Sequence, residues 1–485
     1  MNVKQFFRRR SVKNAGSGVA LVALVLAFFY LVNLIVLGAA NHFSWYFYTT
    51  AQYDLSISGA ADELLSDIDT STDKVEIIFC DIEENVKQSA QLDYVYETAV
   101  GLAERYPDLI ELSFVNMWLE PARVAPYRVA ADGSEQKLNA STVVVDYGGE
   151  FVLNSAAAFY TLDAEDYVVA YNGEEIFVAS ILWVTAKTHP VAYFTANHGE
   201  EIPSSLYRQL TAAGYKVESL DLAAVSEIPQ DAGMVVISSP LYDFQRTAPG
   251  STYASELTKL ENYLASDGKL YVSLHPAYVE KMPRLSDFLA SYGISVGLGT
   301  LIDHDAALPG SAGYSLITAF SEEGIARTLA DRVGAGGRRT VLSYAAPLTL
   351  VESSKANAAP ILYSPSSARL LRDGAESEIG RTPLLALSEM KEGEGMLLVA
   401  SSPFLADTTL MNGAGYGNKT LVNSILSLFG AKRVPDGIPA VQVDRSAIED
   451  LTSREADLYT VLMAGVIPVG LLAFGLVLHV RRKNR

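Results

Sequence analysis

Cysteine is almost absent. Cys80 is the only one in 485 residues, so neither an intrachain disulfide nor a thiolate metal cluster can form. It closes the apolar run Val75 to Phe79, a place for a buried, inert thiol. Dithiol redox chemistry is excluded by the lack of a Cys-x-x-Cys pair. The segment from Gly413 to Thr420 looks superficially like a phosphate loop, but Asn418 separates Gly417 from Lys419 and breaks the Gly-x-x-x-x-Gly-Lys-Ser/Thr spacing. The chain therefore carries no ATPase motif of its own. Basic residues are also few between the ends. Of 37 Lys and Arg, nine lie in two terminal tails that hold no acid, leaving 28 against 56 Asp and Glu, a net of −28. So acidic a stretch will not bind nucleic acid or anionic lipid through a basic patch.

Long hydrophobic runs are what the sequence does have. Residues 19–40 and 458–480 are each long enough, at 1.5 Å per residue, to cross a roughly 30 Å hydrocarbon core as a helix. Lys4, Arg8, Arg9, Arg10 and Lys13 precede the first, and Arg481, Arg482, Lys483 and Arg485 follow the second. Basic flanks stay in the cytoplasm. The expectation is a two-span protein of the cell membrane, with cytoplasmic tails at 1–18 and 481–485 and the bulk of the chain extracytoplasmic. A cleaved signal peptide is the rival for the first run, but a signal core is only about 7–15 residues long. Pro468 is expected to bend the second helix.

Residues 41–187 read as one α/β domain. Strands are expected at 74–79 and 109–115, a helix at 92–106 ended by Pro107, and a hairpin at 141–147 and 150–153 around Gly148-Gly149. The order β-α-β-α-β-β is thioredoxin-like. Residues 188–436 read as a second α/β domain, joined to the last run by a linker at 437–457. Strands at 191–195, 216–220, 234–239, 269–274 and 396–402 alternate with helices at 204–213, 255–266 and 418–429. Such alternation implies a doubly wound parallel sheet covered on both faces. Residues 306–389 are expected to add strands whose order the pattern does not reveal.

In a doubly wound sheet, ligands bind beyond the carboxyl ends of the strands. His198, Glu200 and Glu201 after the first strand, Ser239 after the third and His275 after the fourth are the candidate crevice residues. The histidine and its neighbouring carboxylates would suit a divalent metal, but a further positioned ligand from elsewhere in the chain cannot be named, so no metal is expected. Ser239 with His275 invites a hydrolase reading, yet the Ser238-Ser239-Pro240 strand end is not the Gly-x-Ser-x-Gly elbow that exposes a nucleophile. Asp303-His304-Asp305 is a further cluster, better suited to a solvated loop.

Four stretches carry a family resemblance. They are Asp54-Leu55-Ser56; the segment from Glu174 to Lys187 with Val191 through the His198-Gly199-Glu200 loop; residues 213–217, 228–229, 235–240 and 260–270; and the end from Ile467-Pro468 to Arg481-Arg482. Together they resemble the auxiliary component of gliding-motility-type ABC transporters, the GldG-like proteins. The resemblance implies a second domain with the class I glutamine-amidotransferase-like fold. It also implies a non-catalytic accessory subunit that works with an ABC-2-type permease and a cytoplasmic ABC ATPase, and with an extracellular cargo as a further partner. Amidotransferases need a cysteine on a strand-to-helix elbow. Cys80 lies in the other domain, so neither that activity nor a cofactor is expected. The alternative from another class is a membrane-anchored extracytoplasmic hydrolase or metal-dependent enzyme.

Overall fold

The computed structural model describes residues 55–442, except 67, 69–72, 130–134, 163–167, 246–253, 335–336, 414 and 432, together with 458, 459, 461 and 462. Helix α1 (Gly59–Leu65) starts on Ser58, whose hydroxyl accepts from the Ala61 N–H. Strand β1 (Val75–Phe79) is followed by helix α2 (Asp93–Arg105), which buries Val95, Ala99 and Leu102 along one stripe. Strand β2 (Ile110–Phe114) lies parallel to β1. The hairpin β3 (Thr142–Tyr147) and β4 (Glu150–Ser155) turns on Gly148 and Gly149, whose φ angles of 62° and 92° fit a tight hairpin turn. The sheet runs β2-β1-β3-β4, with β3 antiparallel to both neighbours.

Strands β5 (Tyr160–Leu162) and β6 (Val168–Tyr171) lead into helix α3 (Gly173–Val184), nine of whose twelve residues are buried. Gly173 is obligatory there. A Cβ on it would lie 1.9 Å from the Tyr171 hydroxyl, which is itself hydrogen-bonded to Thr98 and to the Tyr94 carbonyl.

The second sheet is built from β7 (Val191–Thr195), β8 (Lys216–Leu220), β9 (Ala232–Ser238) and β10 (Lys269–Ser273), with helices α4 (Ser204–Ala212), α5 (Glu256–Ala265) and α6 (Pro283–Ser291) between and after them. It is completed by β11 (Ala319–Phe320), β12 (Ala356–Tyr363), β13 (Pro383–Met390) and β14 (Met396–Ala400). Helix α7 (Gly324–Val333) follows β11 and α8 (Asn418–Leu428) follows β14. The order is β11-β12-β13-β14-β10-β9-β7-β8. The five strands from β14 to β8 are parallel, while β13, β12 and β11 extend the sheet antiparallel.

Alternate residues face opposite layers. Ala192, Phe194, Met234 and Val236 pack with Leu210, Leu329 and Leu421 of α4, α7 and α8. Val191, Tyr193, Val235 and Ile237 pack with Leu260, Leu264, Leu285 and Leu289 of α5 and α6. The molecule is thus a mixed α/β protein with a helix-covered sheet. The described residues from Leu55 onward belong to one compact unit in which the two sheets keep separate cores.

The membrane expectation needs correction. Among the described residues no helix is long and apolar enough to cross a membrane. The longest, α2, has 13 residues and spans about 20 Å, short of a hydrocarbon core. The expected spans at 19–40 and 458–480 lie outside the described residues, apart from 458, 459, 461 and 462 of the second. The two-span placement, the cytoplasmic tails and the extracytoplasmic assignment built on it therefore have no support in the structure.

Candidate functional site

The order of the second sheet reverses between β7 and β9, the switch point at which such sheets bind ligands. Here it is closed. The N–H groups of Leu241 and Tyr242, beyond β9, both donate to the His198 carbonyl at 2.8 and 2.9 Å, tying the two strand-end loops together. Gly199, at φ 79°, lets them meet, since a Cβ would lie 3.0 Å from the Leu241 side chain.

His198 is 3 % exposed. Its Nδ1 lies 3.0 Å from Glu200 Oε1 and its Nε2 3.1 Å from Glu256 Oε2, while the other Glu200 oxygen accepts the His198 N–H at 2.7 Å. The ring stacks on Phe244 with centroids 4.1 Å apart. Glu256 also accepts the Gln245 N–H. Burial disfavours the imidazolium, but the hydrogen bonds and charges of Glu200 and Glu256 prevail and raise the His198 pKa to about 9. Burial pushes the Glu200 carboxyl up, but its hydrogen bonds to the His198 ring, to the Glu200 and His198 backbone and to Thr195 together more than reverse that, leaving it below the usual carboxylate range. His198 is therefore a cation clamped between two carboxylates. Both ring nitrogens are spent, so it can neither accept a proton from a substrate at neutral pH nor ligate a metal.

The remaining candidates are not assembled into a catalytic set. Glu201 is exposed. Ser239 sits at φ 48°, its N–H donating to the Ser273 carbonyl, but the next described helix, α5, begins only at Glu256, so among the described residues no helix N-terminus backs it as in a nucleophile elbow. His275 accepts the Ala277 N–H on Nδ1 at 3.2 Å, and burial lowers its pKa. Among the described residues no hydrogen bond joins it to Ser239, and no group of three or more His, Cys, Asp or Glu could hold a metal. Asp303 is fully buried, its carboxylate accepting from the Asp305 and Ala306 N–H groups and the Ser367 hydroxyl, so it shapes a loop. Asn418, in the phosphate-loop look-alike, is fully buried and bonds to Val341 and Leu405 backbone. Cys80 is buried, which pushes its thiol up to about 11 despite nearby Arg128.

Sequence reasoning missed Glu256 and Phe244, which complete the clamp. Glu256 follows the helix cap Ser255 and reads as an ordinary first-turn acid. Also missed was an aromatic cluster at the carboxyl edge, where His275 lies 6.3 Å from both Tyr344 and Phe404.

No family model and no curated protein matches the chain. Among solved structures, the mmIFT52 N-terminal domain is similar over 49 % of this chain and 97 % of its own, at 19 % identity and a TM-score of 0.39. A chain of PurLQS from Thermotoga maritima matches over 50 % and 99 %, at 10 % identity and TM-score 0.27. A GMP synthase component from Thermoplasma acidophilum matches over 50 % and 98 %, at 8 % identity and TM-score 0.25. Likenesses this distant assign no activity. No family model or curated relative supports the transport role expected from the sequence.

Proposed function

We propose that this chain is a non-catalytic accessory subunit that works by binding protein partners. The carrying observation is the His198 clamp. The position where a sheet of this order would place its chemistry is filled by an ion triad and sealed by the loop after β9. On this reading the β2-β1-β3-β4 sheet is a thioredoxin-like domain without its dithiol, and the second sheet is an amidotransferase-like domain without its nucleophile. A fold kept without its chemistry is a scaffold.

A partner surface is available on the first sheet. Trp118 and Leu119 are each 79 % exposed. They are not loosely held, because Asn116 Oδ1 accepts both of their N–H groups at 3.0 and 3.1 Å. A rigid turn presenting a bare tryptophan is what a protein interface uses as an anchor. The sequence resemblance suggests an ABC permease and its ATPase as the partners.

The tagged full-length chain, isolated from its own cells, is expected to bring down an ABC permease and ATPase. The double variant Trp118→Asp, Leu119→Asp should recover several-fold less while keeping the wild-type circular dichroism. The purified chain should release neither phosphate from ATP nor ammonia from glutamine, and should not hydrolyse simple esters. An activity abolished by Ser239→Ala would overturn the reading.

A further inference from the structure

Beyond β14 the carboxyl edge of the second sheet opens into a cleft of about 520 Å³. Four aromatic side chains line it: Tyr314, Tyr344, Phe404 and Tyr416. The Tyr344 ring lies 4.8 Å from Tyr314 and nearly parallel to it, and 5.7 Å from Phe404 at 51°. Tyr344 is 42 % exposed and sits at φ 53°, a left-handed conformation that a bulky residue rarely adopts. Ala312, on the same wall, has φ 52°. Strained backbone at two lining positions is the kind of outlier that accompanies ligand contact.

The charge of the lining selects the ligand. Among the described residues Asp407 is the one carboxylate of the lining, and no Lys, Arg or His belongs to it. Asp407 Oδ1 accepts the Thr409 and Leu410 N–H groups, which fixes the carboxylate at the start of the short helix Thr408–Asn412. His275 packs against Tyr344 and Phe404 outside the lining, and burial lowers its pKa, which disfavours an opposing charge there. Electron-rich ring faces beside a lone carboxylate disfavour phosphates and carboxylates and favour a cation. The hydroxyls of Ser311, Ser315 and Ser343 can serve the polar remainder of such a ligand.

We propose that this cleft binds a cationic ligand carrying an alkylated ammonium group, seated among Tyr314, Tyr344 and Phe404 and facing Asp407. The site goes beyond the partner-binding reading and stands without it. Choline is the probe, titrated calorimetrically into the full-length chain at low ionic strength beside its uncharged isostere 3,3-dimethylbutanol and the neutral sugar cellobiose. Choline should bind saturably, and the isostere about tenfold more weakly or worse. Asp407→Asn keeps an oxygen that caps the helix but removes the charge, and Tyr344→Leu keeps bulk but removes the ring. Each should weaken choline about tenfold at an unchanged melting temperature. Equal binding of choline and isostere, unaltered binding in both variants, no saturation with choline, or saturation with cellobiose alone would each overturn the proposal. None of these results touches the partner pull-down, so the two readings fail separately.

Discussion

His198 shows how one side chain can turn a site into a structural element. A lone buried carboxylate pair would repel, and a lone buried imidazolium would be poorly solvated. Together Glu200, His198 and Glu256 satisfy one another. Replacing His198 with Gln leaves two buried carboxylates facing a neutral group, and a loss of about 3 to 5 kcal/mol is expected in urea unfolding. The pH dependence has a definite sign. The His198 pKa is raised in the folded state, from an ordinary value near 6.5 to about 9. Its stabilisation is therefore complete below about pH 6.5 and is lost as pH rises through about 9. Unfolding midpoints measured between pH 6 and 9.5 should fall by the equivalent of roughly 2 to 3 kcal/mol in the wild type. The fall should be much smaller in His198→Gln. Parallel profiles for the two proteins would show that His198 is not charged in the fold.

Among elements, α3 is the one whose start leaves no room. Alanine in place of glycine ordinarily favours a helix by roughly 0.5–1 kcal/mol. At Gly173 the new methyl would enter the Tyr171 hydroxyl, and that ring is held by Thr98 and the Tyr94 carbonyl. Gly173→Ala is expected to destabilise by about 1 to 3 kcal/mol, read as a lower melting temperature. The long periodic elements could be read from sequence to within a residue or two. The 92–106 helix is α2, and the 255–266 helix is α5 with Ser255 as its cap. Residues 306–389 could not be ordered, for two physical reasons. Several of their strands have only two to four residues, too few to show a period. The longer β12 contains Pro360, which normally argues against an interior strand. It is tolerated where the regular ladder ends: the pairing with β13 shifts register immediately after Pro360, and β11, on the other side, pairs only with Leu362 and Tyr363. The clamp was half legible. His198 and Glu200 are neighbours in sequence, whereas Glu256 reaches them only through the placement of α5 beside β7 and β9.

At the scale of the molecule, the question is what couples the two sheets. Each has its own core, but Glu175 of α3, in the first, forms an ion pair with Lys419 of α8, in the second. The two side chains are only 8 % and 16 % exposed, and Gln209 of α4 lies 3.5 Å from the same carboxylate. A pair this dry is weak evidence for stability as a pair, yet removing either partner strands a charge. Glu175→Leu or Lys419→Met alone should therefore cost about 3 to 5 kcal/mol, while the double variant Glu175→Leu, Lys419→Met should return near the wild-type value. The measurement is chemical denaturation of all four proteins, followed by both far-ultraviolet circular dichroism and tryptophan fluorescence. If the ion pair transmits folding between the sheets, the two probes coincide in the wild type and the double variant but separate in the single variants. Additive losses would place the pair outside the coupling and leave the apolar contacts around α3 and α4 to hold the halves together.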